Sequence, residues 1–188
     1  YPDLITEMVC LKTDYQGFGT YFVTDEGRTW HLAKDNRPDS LTADSTYRVV
    51  SRYAPLSETD AKAYSFYKTI STLPKLESKY GSIHTDPVSI QSIWRSGDYL
   101  NMVLQIMVKD QKHELSFIEN GITTHADGTQ TLTLTLYHDR KGDIEGFNEK
   151  HYLSIPLWHY QDILNKGDQI VLQLNTYKEG MTSRNYTY

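Results

Sequence analysis

The chain has 188 residues, 38% of them hydrophobic and 23% charged, and a formal net charge of -5 at pH 7. Its size allows one large domain or two small ones, and its acidic balance disfavours a nucleic-acid partner, whose phosphates require basic residues. No apolar run approaches the roughly 20 residues of a membrane-spanning helix, and the single cysteine, Cys10, excludes an intrachain disulfide.

Five strand patterns occupy the first 71 residues. They cover residues 4–12, 20–24, 28–32, 46–53 and 63–71. In the fourth, alternation places Tyr47, Val49, Ser51 and Tyr53 on one face and Arg48, Val50 and Arg52 on the other. The Asp-Glu-Gly turn at residues 25–27 makes the second and third strands antiparallel. Five short strands with one tight turn predict a five-stranded OB-like barrel.

The segment that follows the barrel pattern is irregular. Residues 73–86 show no alternation and include Pro74 and Gly81. Domain boundaries commonly fall in polar, irregular segments of this kind. The sequence therefore predicts an OB-like barrel domain over residues 1–80 and a second domain over residues 81–188.

The second half is also rich in strand patterns. They cover residues 88–94, 99–108, 113–118, 131–138, 151–157 and 170–177, the last being the expected final strand. The polar residues 109–112 suit a hairpin loop between two apolar runs. Antiparallel pairing about that loop places three pairs on one face: Val108 with His113, Ile106 with Leu115 and Leu104 with Phe117.

One segment of this half has helical spacing. Leu157, Tyr160, Ile163 and Leu164 predict a short helix, which Gly167 would end. Several alternating strands with one short helix indicate a β-sandwich. The fold class expected for the whole chain is all-β, with an N-terminal five-stranded OB-like barrel and a C-terminal β-sandwich that carries one short helix.

Several residues of the second half match a known family. They are Asp86-Pro87, Ile93-Trp94, Gly97, Tyr99-Leu100-Asn101 and His113. With their surroundings, DPVSIQSIWRSGDYLNMVLQI and KHELSF, they resemble the second domain of the NigD-like family. The upstream segments GTYFVTDEGRTW and YRVVSRY are similar to the N-terminal domain of that family. The resemblance covers nearly the whole chain.

This resemblance implies an exported lipoprotein of a Gram-negative anaerobe, held at the cell envelope by a lipid anchor. The implied architecture is an OB domain followed by a β-sandwich domain. The lipid-bearing cysteine of such a protein would precede Tyr1, and Cys10, inside a strand pattern, is expected to be a small buried hydrophobic residue. The family name comes from a bacteriocin locus, which implies an immunity role, and the family supplies no catalytic residues.

Three histidines stand at the ends of apolar strand faces: His113, His138 and His151. If their strands form an antiparallel meander, the imidazoles lie at one end of one face, and three histidines with a water form a known type of zinc site. The alternative is that they cap the core through hydrogen bonds, which is favoured because no closely spaced ligand pair exists. No metal or other cofactor is expected. The remaining histidines are expected at the surface or as caps: His31, His84, His125 and His159.

Four other residues are candidates for ligand binding. Arg48 and Arg52 share a face of the fourth barrel strand, and OB-like barrels bind ligands on a sheet face and its adjoining loops. Trp94 and Tyr99 flank the turn at residues 95–98 and suit a contact patch at the end of the sandwich. The competing interpretation, which is favoured, places Trp94 in the core or at the domain junction, because large aromatic side chains dominate core burial.

Catalytic motifs are scarce in this chain. The loop DRKGDIEGFN carries Asp139, Asp143 and Glu145, but its spacing does not fit a calcium loop, and a solvated hairpin loop is expected. The sequence has neither a Gly-x-Ser-x-Gly elbow nor a phosphate-binding glycine motif.

The sequence thus predicts a non-catalytic binding module at the cell envelope and not an enzyme. The expected partner is an envelope protein, a toxin or a glycan. No nucleic-acid partner is expected, and membrane contact is expected only through the lipid anchor. Two alternatives remain. One is a metal-dependent hydrolase that uses His113, His138 and His151, and the other is a glycan-binding accessory protein.

Overall fold

A computed structural model describes residues 3–188. Within them the chain forms β-strands joined by loops and short 3-10 turns, which confirms the all-β class. The chain divides into two compact units, one extending to Thr69 and the other running from Ile70 to Tyr188. This division lies upstream of the boundary placed at residue 80, because Lys75–Leu76 forms a short strand that pairs within the second unit.

The first unit is a closed five-stranded barrel. Its strands are β1 (Ile5–Thr13), β2 (Gly19–Thr24), β3 (Thr29–Leu32), β4 (Thr46–Pro55) and β5 (Asp60–Lys68). They follow the order β1-β2-β3-β5-β4, and pairing of β1 with β4 closes the barrel. The core contains Val9, Leu11, Phe22, Val49 and Tyr53. The alternation of residues 46–53 therefore identified the inner face of β4 correctly.

Gly17 is required by the loop between β1 and β2. Its φ of +82° lies in the left-handed region, and a Cβ at this position would lie 2.2 Å from the carbonyl oxygen of Leu41. We expect Gly17→Ala to destabilise the protein by about 2 kcal/mol, since strain and a backbone clash act together. Gly27→Ala is the matched control, because Gly27 has a φ of +89° but an open surrounding. Equal losses of unfolding free energy in the two variants would contradict the clash.

The second unit is a β-sandwich. Its strands are β6 (Lys75–Leu76), β7 (Ser89–Ser96), β8 (Tyr99–Val108), β9 (Glu114–Thr124), β10 (Gln130–Asp139), β11 (Phe147–Pro156), β12 (Gln169–Thr176) and β13 (Gly180–Thr187). One sheet has the order β13-β12-β10-β9-β6 and the other the order β11-β8-β7. Leu104, Phe117, Leu134, Leu153 and Leu172 are all fully buried in one shared core. The sandwich prediction is confirmed.

The hairpin predicted about residues 109–112 is wrong. β8 pairs with β7 and β11, whereas β9 pairs with β10 and β6. Leu104 and Phe117 are both buried in the core, but they belong to different sheets. Two strands that face each other across a sandwich have the same apolar alternation as two strands paired in one ladder. The pattern therefore identified the buried faces and not the pairing.

Two details near the C-terminus also differ from expectation. The short helix is a single 3-10 turn, Leu157–Tyr160, in which Leu157 and Tyr160 are the buried residues. Residues 170–177 are not the final strand, because β13 follows and pairs antiparallel with β12. β13 was missed because its residues are mostly polar, as an edge strand tolerates. No helix among the described residues is long and apolar enough to cross a membrane.

Candidate functional site

The Asp143 carboxylate organises the loop between β10 and β11. It accepts hydrogen bonds from the backbone N–H groups of Asp110 (3.0 Å), Lys109 (2.7 Å) and Ile144 (3.0 Å). Its side chain is only 2% exposed, so the expectation of a solvated loop is wrong at this residue. The donors, led by the N–H of Asp110, hold the pKa of Asp143 well below its ordinary value. The ionised carboxylate thus ties this loop to the connection between β8 and β9.

Two histidines continue from this carboxylate into the sandwich. Nε2 of His113 lies 2.9 Å from Oδ2 of Asp143, and Nδ1 of His113 lies 2.8 Å from Nε2 of His138. Nδ1 of His138 lies 2.9 Å from the backbone carbonyl oxygen of Asp86. We call this run of contacts from Asp143 through His113 and His138 to Asp86 the histidine chain. Antiparallel pairing of β9 with β10 brings the two histidines together.

The ends of the histidine chain fix the direction of its outer hydrogen bonds. The carbonyl of Asp86 and the ionised carboxylate of Asp143 only accept, so each outer imidazole nitrogen donates. Nε2 of His113 therefore donates to Asp143, and both side chains are only 2% exposed. Burial, followed by the charge of His113, lowers the pKa of His138.

The structure does not gather the three histidines into one set of ligands. His151 lies on β11, in the opposite sheet, and its Nε2 lies 2.7 Å from a carboxylate oxygen of Glu149. All four imidazole nitrogens of His113 and His138 contact protein groups. A metal would need at least one of those nitrogens as a lone-pair donor. The geometry matches the capping interpretation for His113 and His138, and the hydrolase alternative gains no support from it.

The two candidate arginines on β4 have different surroundings. Nη1 and Nη2 of Arg48 donate to the two carboxylate oxygens of Asp25 at 2.6 and 2.8 Å. The Arg48 side chain is only 3% exposed, and its Nη1 also lies 3.6 Å from Sγ of Cys10, which is half-buried. Burial alone would lower the pKa of Arg48, but Asp25 raises it. Arg48 therefore has a structural partner, while Arg52 is exposed to solvent.

The aromatic candidates lie on the hairpin formed by β7 and β8. Trp94 is exposed and pairs with Asn101, whereas Tyr99 is half-buried and pairs with Ser96. Asn101 is fully buried and accepts a hydrogen bond from the Ser154 hydroxyl at 2.6 Å. Trp94 is thus not in the core of the sandwich. The structure leaves Trp94 and Arg52 accessible among the four predicted binding residues.

A group of exposed apolar side chains adjoins the histidine chain. Ile144 is 58% exposed, Phe147 56% and Tyr177 42%. Tyr177 lies close to the same loop, since burial and then the Glu145 carboxylate raise its pKa. We call Ile144, Phe147 and Tyr177 the loop surface. Exposed apolar side chains on a fixed loop are typical of protein contact sites. Sequence reasoning missed this surface because Ile144 and Phe147 belong to a segment expected to be solvated, whereas Tyr177 ends a predicted strand.

The fold and these contacts define an all-β protein of two compact units, the second of which holds the histidine chain. A family model, the NigD-like C-terminal beta sandwich domain, matches residues 71–188. The chain belongs to the NigD-like family. No curated protein matches it.

Solved structures show the same fold over the whole chain. The crystal structure of a NigD-like immunity protein from Bacteroides caccae is 28% identical, with a TM-score of 0.77 and coverage of 99% of this chain and 93% of that one. A candidate toxin-related protein from Parabacteroides distasonis is 18% identical, with a TM-score of 0.72 and coverage of 99% and 93%. A candidate lipoprotein from Bacteroides fragilis is 11% identical, with a TM-score of 0.67 and coverage of 99% and 97%. The last two support the fold alone.

Proposed function

We propose that this protein is a non-catalytic immunity protein that binds a bacteriocin-type toxin through its loop surface. The observation that carries the proposal is the contrast between the two sides of one loop. Asp143 turns inward and is saturated by hydrogen bonds, whereas Ile144 and Phe147 turn outward and are exposed. Such an arrangement presents apolar groups on a rigid support, which lowers the entropic cost of binding.

The family supports the same proposal. The relative from Bacteroides caccae with 28% identity is named an immunity protein. Immunity proteins act by recognition, and recognition needs exposed anchor residues more than catalytic groups. The buried hydrogen bond between His113 and Asp143 then has a supporting role, because it fixes the loop that carries the anchors.

We also propose an exported location, with the protein anchored by lipid at the cell envelope. A structural relative from Bacteroides fragilis is described as a candidate lipoprotein. A toxin that attacks from outside reaches the cell envelope first, so an immunity protein anchored there would meet it on arrival. The proposal is checked by metabolic labelling of the producing cells with a lipid precursor, followed by fractionation of the envelope.

Replacing the loop anchors should abolish protection against toxin. A bacteriocin-sensitive Bacteroides strain that exports this protein is exposed to culture supernatants from a panel of bacteriocin-producing Bacteroides strains. We expect at least one supernatant to kill the vector control at least tenfold more efficiently than the strain with the wild-type protein. The variant I144S/F147S should lose this protection, because loss of central apolar anchors weakens binding by about tenfold or more per residue.

The matched control for this experiment is Tyr15→Ser in the barrel. Tyr15 is 76% exposed, so the control also removes an exposed apolar side chain. It should leave protection unchanged. Equal killing of protected and unprotected cells by every supernatant would overturn the immunity proposal. Full protection by a folded I144S/F147S variant would overturn the choice of surface.

A further inference from the structure

We propose that the outer face of the five-stranded sheet carries a second binding site, a shallow cleft for a neutral carbohydrate. The cleft lies over β9, β10 and β12 and has a volume of about 460 Å³. Ligand clefts commonly have volumes of roughly 300–1,000 Å³. It is lined by Asn120, Gly121, Ile122, Thr123, Thr133 and Gln173. It shares no residue with the loop surface and does not depend on the immunity proposal.

A β-bulge in β9 forms one wall of the cleft. Thr133 pairs with Gly121 and Leu134 pairs with Glu119, so Asn120 is the extra residue between them. Bulges commonly redirect a side chain away from its regular position in the ladder. Asn120 is exposed on the sheet, and a Cβ at Gly121 would meet nothing within 4 Å. The bulge thus presents a carboxamide beside an open stretch of backbone.

A buried hydroxyl positions the two carboxamides of the cleft. Oγ1 of Thr135 lies 2.6 Å from Oδ1 of Asn120 and 3.1 Å from Oε1 of Gln173, and Thr135 itself is buried. The Thr135 hydroxyl thus donates towards the carbonyl oxygens of both carboxamides. With both carbonyl oxygens turned towards this buried hydroxyl, the NH2 groups of Asn120 and Gln173 are left for a ligand. The cleft therefore holds two amide donors side by side.

The lining residues decide which ligand this pair suits. A second hollow, lined by Gln173, Met181, Thr182 and Ser183, continues the cleft towards β13. Neither hollow has a charged lining residue, although 23% of the chain is charged. An anionic or cationic ligand would find no counter-charge there, and a membrane surface would find no basic residue.

A carbohydrate fits this chemistry better than a peptide. Sugar hydroxyl and ring oxygens accept hydrogen bonds, as the facing NH2 groups require. The side chain of Met181, 56% exposed, can pack against the C–H face of a sugar ring. A peptide strand would instead pair through its backbone at a sheet edge, whereas this cleft lies on a sheet face. The few contacts predict a dissociation constant on the order of 1 mM.

The test is chemical-shift mapping on the 15N-labelled full chain. The probes are cellohexaose, maltohexaose, xylohexaose and chitohexaose, each added to about 10 mM, roughly ten times the expected dissociation constant. We expect at least one of them to shift the side-chain NH2 signals of Asn120 and Gln173 and the backbone amide of Gly121. Gln173→Ala should weaken this binding at least fivefold.

The matched control is Gln169→Ala, a substitution of the same residue type on the same face of β12 but outside the cleft. It should bind as the wild type does. The proposal is overturned if none of the four probes shifts the cleft signals, or if Gln173→Ala, with an otherwise native spectrum, binds unchanged. Chemical-shift changes confined to the barrel would place carbohydrate binding there and would also contradict a carbohydrate site in the cleft.

Discussion

Arg48→Met should destabilise the barrel by about 3–5 kcal/mol, the cost of removing one partner of a buried ion pair. The substitution keeps the length of the aliphatic stem but leaves the Asp25 carboxylate without its two guanidinium donors. The Asp25 side chain is 11% exposed, so water replaces those donors only in part. Unfolding in guanidinium chloride measures the loss in the free energy of unfolding. Hydrogen exchange of the backbone amides in β1–β5 shows whether that loss lies in the barrel.

Two further variants test the cause of this loss. The double variant R48M/D25L should recover most of the stability, because a buried ion pair is often replaceable by apolar residues of similar volume. Arg52→Met should change stability by less than about 0.5 kcal/mol, since Arg52 is exposed on the same strand. A loss below 1 kcal/mol in Arg48→Met, on the scale of an exposed pair, would contradict a stabilising role for this ion pair.

Alternation in the sequence was sufficient to find the buried faces of most strands. Val49 and Tyr53 in the barrel, and Leu132, Leu134 and Leu136 in the sandwich, are buried as their period-2 spacing predicts. Which strands pair is a separate question, because pairing depends on contacts between residues far apart in the chain. Leu104 and Phe117 show the limit, since the same spacing fits a hairpin and two opposed sheets.

The candidate site was predictable only in part. His113 and His138 were recognised because each stands at the end of an apolar face, and pairing of β9 with β10 brings them together. Asp143 was not recognised, because its backbone partners at residues 109 and 110 are distant in sequence. One local signal was available, because Gly142 indicates a turn. In the structure Lys141 and Gly142 both have positive φ, and Asp143 follows this sharp turn directly.

His138→Phe should lower the stability of the sandwich by about 2–4 kcal/mol, because it leaves two buried groups without partners at about 1–3 kcal/mol each. Those groups are Nδ1 of His113 and the carbonyl of Asp86. Phenylalanine fills the volume of the imidazole but cannot accept or donate. Unfolding curves at pH 7.5 measure the loss, and the exposed His159 supplies the control variant His159→Phe, which should cost less than about 0.5 kcal/mol.

The same variant should also flatten the dependence of stability on pH. Burial and the charge of His113 lower the pKa of His138 in the folded chain, whereas the unfolded chain titrates near its ordinary value of about 6.5. Below that value the unfolded state binds more protons, so the stability of the wild type falls as the pH falls. The lowered pKa of Asp143 acts in the same direction at more acidic pH. Between pH 7 and pH 5 we therefore expect the free energy of unfolding to decline in the wild type and in His159→Phe. The decline should be smaller in His138→Phe. An identical decline in all three would mean that the histidine chain carries no protonation-dependent stability.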